Sequence, residues 1–130
     1  MSAGQSSNGP QDDPQLELTC RQSGDDVIVI AVRGDLDLAT VPQARAYLQD
    51  KTAARPGHVV LDMAGVGFMS SHGVRLLLDA HEGCDDIHGR LHLTGVSANQ
   101  PVKRVLDITG LTLLLDIHDD QDHLLRTLAR

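Results

Sequence analysis

Aromatic residues are nearly absent from this chain. Tyr47 and Phe68 are its only Tyr and Phe, and it has no Trp. Single-stranded nucleic acids are gripped by stacking bases on aromatic platforms, so the shortage argues against that role. Positive charge is scarce as well: 11 Lys and Arg against 18 Asp and Glu leave a formal net charge of −7. Binding a phosphate backbone needs Lys and Arg to displace its counterions, so nucleic acid is not an expected partner. No apolar run approaches the ~20 residues of a membrane span. The N-terminus lacks the basic and apolar regions of a signal peptide. Cys20 and Cys84 are far apart and form no CxxC pair, zinc knuckle or disulfide framework. They are expected to behave as small buried hydrophobes. The expectation is a cytoplasmic protein with no membrane partner, no metal site and no cofactor.

A chain of 130 residues is the size of one domain. Residues 1–14, MSAGQSSNGPQDDP, hold no branched apolar residue and read as a disordered tail. Residues 15–130 then form one domain. LELTCR at 16–21 alternates apolar and polar, a strand with one buried face. VIVIAVRG at 27–34 is β-branched and apolar, a strand buried on both faces. The turn Gly24-Asp25-Asp26 between them predicts an antiparallel hairpin at one side of a sheet.

Beyond the hairpin, strands and helices alternate. Thr40 is placed to cap a helix over about 41–53, and HVVLDM at 58–63 is another buried strand. A helix begins at Ser70 or Ser71 and runs to about Gly83. Val74, Leu77, Leu78 and His81 share its inner face, with Arg75, Asp79 and Glu82 outside. RLHLTGV at 90–96 is a strand. Ser97 with Gln100 makes a capping box for the next helix, with Pro101 in its first turn and Gly110 at its end. LTLLLDI at 111–117 reads as a last strand, and Asp119 or Asp120 caps a terminal helix. The order ββαβαβαβα implies an α/β fold with a largely parallel or mixed sheet covered by helices.

The segment VVLDMAGVGFMSSHGVRLLLDAH, 59–81, delivers Ser70, Ser71 and His72 to a helix N-terminus. Such a terminus presents free amides and a positive dipole end, and a phosphate there is stabilised by both. A serine in that place is commonly only a cap, and equally suits a phosphoacceptor. Gly65, Gly67 and Gly73 fit neither GxGxxG nor GxxxxGK[ST]. Ser71 beside His72 lacks a GxSxG elbow, so a nucleophilic enzyme is disfavoured. His81 reads as a packed histidine. His88 and His92 match no zinc spacing and read as structural or surface residues. Asp35 and Asp37 end the central strand, and gain a functional role if the Ser70–Ser71 loop lies beside them.

Three stretches in register, VRGDLDLAT at 32–40, VVLDMAGVGFMSSHGVRLLL at 59–78 and PVKRVLDITGL at 101–111, resemble the STAS family, and within it bacterial anti-sigma factor antagonists. The resemblance spans about Leu16 to Leu128. It implies a small mixed β-sheet with about four helices packed mainly on one face, and a regulatory binding protein rather than an enzyme. It implies partner switching in transcriptional stress control. The unphosphorylated antagonist binds an anti-sigma factor that is also a serine kinase of the GHKL type, which frees a sigma factor. The kinase phosphorylates the antagonist and loses affinity for it, and a PP2C-type phosphatase resets the switch. The free antagonist is expected to be a monomer.

Carried over by position, Ser71 is the implied phosphoacceptor, with Ser70 second. Asp37, Ser70, Ser71, His72, Gly73 and Arg75 form the implied partner surface. Ser70 stands where the family usually carries Asp, and His72 where it usually carries Ser or Thr. These departures favour a second reading: a STAS scaffold that is never phosphorylated, serving a signalling assembly or an ABC-type lipid transporter. A third reading, an enzyme using Ser71 or the histidines, has no base–orienter set behind it.

Overall fold

The computed structural model describes residues 16–129, so the expected tail at 1–14 lies outside the described residues. Strands β1 (Leu16–Gln22) and β2 (Val27–Leu36) form the antiparallel hairpin, with Leu18 opposite Val32 and Cys20 opposite Ile30. Helix α1 (Val41–Thr52) crosses to β3 (His58–Met69), which pairs parallel with β2. Helix α2 (Ser71–Asp86) leads to β4 (Arg90–Thr94). Helix α3 (Gln100–Thr109), a single turn α4 (Leu111–Leu114), β5 (Asp116–His118) and α5 (Gln121–Leu128) complete the chain. The five strands lie in the order β1-β2-β3-β4-β5, and only the β1–β2 pair is antiparallel. The mixed sheet of the sequence reading is therefore correct, with five helices rather than about four.

Alternation along the strands divides the core in two. Ile30, Val59, Leu61 and Leu93 face α1, α2 and α3, and their cluster holds Leu48, Leu76, Leu77, Val102 and Leu106. Val27, Val29 and Val60 face the other way, where Leu124 of α5 covers them. Strand β2 is thus buried on both faces, and most of the helices share one of them. Cys84 is buried as expected, while Cys20 is only half-buried where it packs against the core.

Three local expectations need correction. The stretch 111–117 is not one strand. Leu111 and Leu115 are buried while Leu113 is 94% exposed, and burial four residues apart is a helical spacing, so only Asp116–His118 joins the sheet. Helix α3 is capped by Asn99 instead of a Ser97–Gln100 box. Its Oδ1 accepts from the Val102 amide, and its Nδ2 donates to the carbonyls of Met63 and Val66. Asn99 thereby satisfies backbone on two elements at once, which Ser97, exposed, does not. Finally, the inner stripe of α2 is Gly73, Leu76, Leu77 and Cys84, with Val74, Leu78 and His81 only half-buried. Asp79 does not stand free on the outer face; it bridges to Arg45 of α1.

Candidate functional site

The parallel ladder of β2 and β3 runs far beyond residue 63 and ends with Asp35 opposite Phe68 and Leu36 opposite Met69. Both strands therefore stop together, and the residues that follow them, Asp37 and Ser70, emerge side by side. The Ser70 amide donates to the Leu36 carbonyl at 2.9 Å, which extends the pairing by one bond. The loops that carry Asp37 and Ser71 therefore share one edge of the sheet.

Ser70 is the N-cap of α2. Its backbone is extended, and its Oγ accepts from the His72 amide at 3.1 Å. The hydroxyl of Ser70 is thus engaged locally, whereas Ser71 is the first helical residue and is exposed. His72 is exposed next to it, and the first turn of α2 carries no acidic residue. The first turn of this 16-residue helix itself therefore supplies no carboxylate to its positive end.

Gly73 is buried beneath this turn. A Cβ there would come within 2.4 Å of Met69 Cγ and 3.1 Å of Leu36 Cβ. The missing side chain lets α2 begin directly above the two strand ends. That contact fixes where Ser71 stands.

Asp37 has a structural job that its position alone did not reveal. Its Oδ1 accepts from the amides of Ala39 at 3.0 Å and Thr40 at 3.1 Å, and its carbonyl accepts from the Val41 amide. Thr40 occupies the N-cap position of α1 but makes no side-chain cap to the helix. Its buried hydroxyl accepts from the Asp37 amide and donates to the Asp35 carbonyl. Asp37 and Thr40 together shape the turn that precedes α1.

Around this edge the surface is partly apolar. Leu38 is 70% exposed and Phe68 51%. Leu38 and His72 line one shallow depression with Val41, Pro42 and Arg45. Sequence reasoning named neither Leu38 nor Phe68 as surface residues; the only signal was their place at the strand ends. Arg75 is exposed one turn along α2, and its Nε lies 3.3 Å from Asp79 Oδ1. Asp79 also pairs with Arg45, so Arg75 joins a small charged network between α2 and α1.

Residues 20–123 match the STAS domain family model. The chain belongs to the STAS family. Curated relatives of this STAS domain include the anti-sigma F factor antagonist of Paenibacillus polymyxa, 28% identical over 96 residues, covering 73% of this chain and 80% of that protein. The anti-sigma-B factor antagonist of Staphylococcus epidermidis is 30% identical over 95 residues, covering 73% of this chain and 86% of that protein. Among solved structures, an anti-sigma factor antagonist from Mycobacterium paratuberculosis superposes with a TM-score of 0.78 at 22% identity, over 90% of this chain and 97% of that one. The antagonist SpoIIAA in its unphosphorylated form gives 0.71 at 21% identity, over 88% and 98%. These two likenesses bear on the fold. No helix among the described residues is long and apolar enough to cross a membrane.

Proposed function

We propose that this STAS domain is an anti-sigma factor antagonist. In this reading it binds an anti-sigma factor of the GHKL serine-kinase type through the edge formed by Asp37, Leu38 and the first turn of α2. Phosphorylation of Ser71 switches that binding off, and a PP2C-type phosphatase restores it. The names of the curated relatives support the antagonist role. The observation that carries the switch is the contrast between the two serines: Ser70 is tied into the cap, and Ser71 stands exposed at the positive end of α2.

The mechanism needs no refolding. A phosphoserine carries about −1.5 to −2 charges near neutral pH. In the free protein the helix end and water accommodate them. In a complex, the apolar surface of Leu38 and Phe68 is covered by the partner, and the dianion loses its water there. A penalty of ~2.8 kcal/mol weakens binding a hundredfold. His72, in the position where the family usually has Ser or Thr, adds a ring next to the acceptor that a partner has to accommodate.

Binding measured by calorimetry, with Ser71 phosphorylated stoichiometrically or replaced by Ser71→Glu, tests this. Affinity for the anti-sigma factor is expected to fall about a hundredfold for phosphoserine and less for Glu. Equal affinities for the modified and unmodified forms would contradict the switch.

A further inference from the structure

Polar side chains gather at a second place, on the sheet face that carries α5. His58 begins β3, His92 is central in β4, and Asp116 and His118 are the two ends of β5. The ladders pair Val60 with His92, His92 with Asp116 and Thr94 with His118. By alternation, His58, His92, Asp116 and His118 all project on the face of Val60 and Leu124, opposite α2. His92 is 2% exposed. Its Nδ1 lies 2.7 Å from Asp116 Oδ2, and its Nε2 lies 3.1 Å from His58 Nδ1. His118 Nε2 is 3.1 Å from the same Asp116 oxygen, yet this enclosed nitrogen has no hydrogen-bond partner.

We propose that His92 Nδ1, the Asp116 carboxylate and His118 Nε2 bind a divalent transition-metal ion of the zinc class. The three donor atoms lie within 4.8 Å of one another. Two imidazoles and a carboxylate suit zinc-class ions better than Mg2+ or Ca2+, which take oxygen ligands. Tetrahedral ligands at ~2.0–2.2 Å from an ion sit about 3.3 Å apart, so the 2.7 Å and 3.1 Å spacings from Asp116 to the two rings need to open only slightly. The Asp116 and His118 side chains are 42% and 33% exposed, which leaves an approach for the ion. His58 is the outer support. A ligating histidine commonly gives its other N–H to an acceptor, and His58 Nδ1, 3.1 Å from His92 Nε2, is placed to be that acceptor once Nδ1 holds the ion.

Sequence spacing gave no warning of this set, because the ligands come from two strands joined by a ladder rather than from one short motif. Strand β5 is three residues long and pairs with β4 alone. An ion held by His92 and by β5 would clamp that edge strand to the sheet.

The full chain is titrated with Co2+ and Zn2+ by absorption spectroscopy and calorimetry. One equivalent is expected to bind, with the visible Co2+ bands of a four-coordinate nitrogen and oxygen site, and the melting temperature is expected to rise. His118→Ala and Asp116→Asn are each expected to weaken binding at least tenfold, and His88→Asn, in an exposed turn, to leave it unchanged. Absence of stoichiometric binding by the wild type would overturn the site. So would affinity that both folded variants retain. Should a variant not fold, X-ray absorption of the zinc-loaded wild type decides: two imidazoles in the shell support the site, and a shell without them overturns it. These outcomes are independent of Ser71, which lies on the helix that packs on the other face of the sheet.

Discussion

Gly73 and Asp37 fix the geometry of the switch without being its moving part. The Cβ of Gly73→Ala would press on Leu36 Cβ and Met69, so this variant is expected to lose about 1–3 kcal/mol and to tilt the start of α2. Urea denaturation reads the loss, and partner affinity reads the tilt. The Asp37 carboxylate accepts two amides of the turn before α1. Asp37→Ala is therefore expected to cost about 1 kcal/mol, while Asp37→Asn, whose amide oxygen can accept the same bonds, retains most of the stability. Comparing the two variants in binding separates the negative charge of Asp37 from its structural bonds. Cys84 gives a further check. Burial, with Asp85 nearby, pushes its thiol up to about 11 from 9.0. The unfolded chain ionises first, so this contribution is complete below pH 9 and is lost as pH rises towards 11. Roughly 2 kcal/mol of alkaline destabilisation is expected. It should vanish in Cys84→Ala when denaturation curves at pH 8 and pH 10.5 are compared.

Several elements could be read directly from the chain, and where the reading failed the reason is tertiary. The hairpin, β3, α2 and α5 announce themselves by alternation, by β-branched runs and by turn or cap residues, and Asp120 indeed caps α5. The length of β3 did not, because Ala64, Gly65 and Gly67 have poor strand propensity. Pairing with β2, across two register irregularities, carries the strand through them. The α3 cap was misplaced because Asn99 is chosen by what it reaches on β3, a partner 33 and 36 residues away. Asn99→Ala would remove the helix cap and leave the Met63 and Val66 carbonyls without this donor. A loss of about 2–3 kcal/mol is expected, measured by chemical denaturation. Thr109→Ala, at the exposed end of the same helix, should lose far less.

Across the molecule, the sheet holds two faces apart. On one, α1, α2 and α3 pack against an aliphatic core and set Ser71 at an edge with Leu38; on the other, α5 covers a smaller core beside the histidine cluster. The candidate partner edge was legible in the sequence because its residues lie on two short contiguous segments that follow parallel strands. The exposed Leu38 and Phe68 were not, since an apolar residue at a strand end normally reads as core. Nor was the histidine cluster, which exists only through pairing between strands. The most direct measurement is intact mass with phosphosite mapping. The chain is incubated with ATP and candidate GHKL-type anti-sigma kinases, beside Ser71→Ala and Ser70→Ala. One added phosphate that is lost only in Ser71→Ala is the expected result. A stable complex with the kinase and no phosphate on the wild type, or a phosphate that persists in Ser71→Ala and disappears in Ser70→Ala, would contradict it.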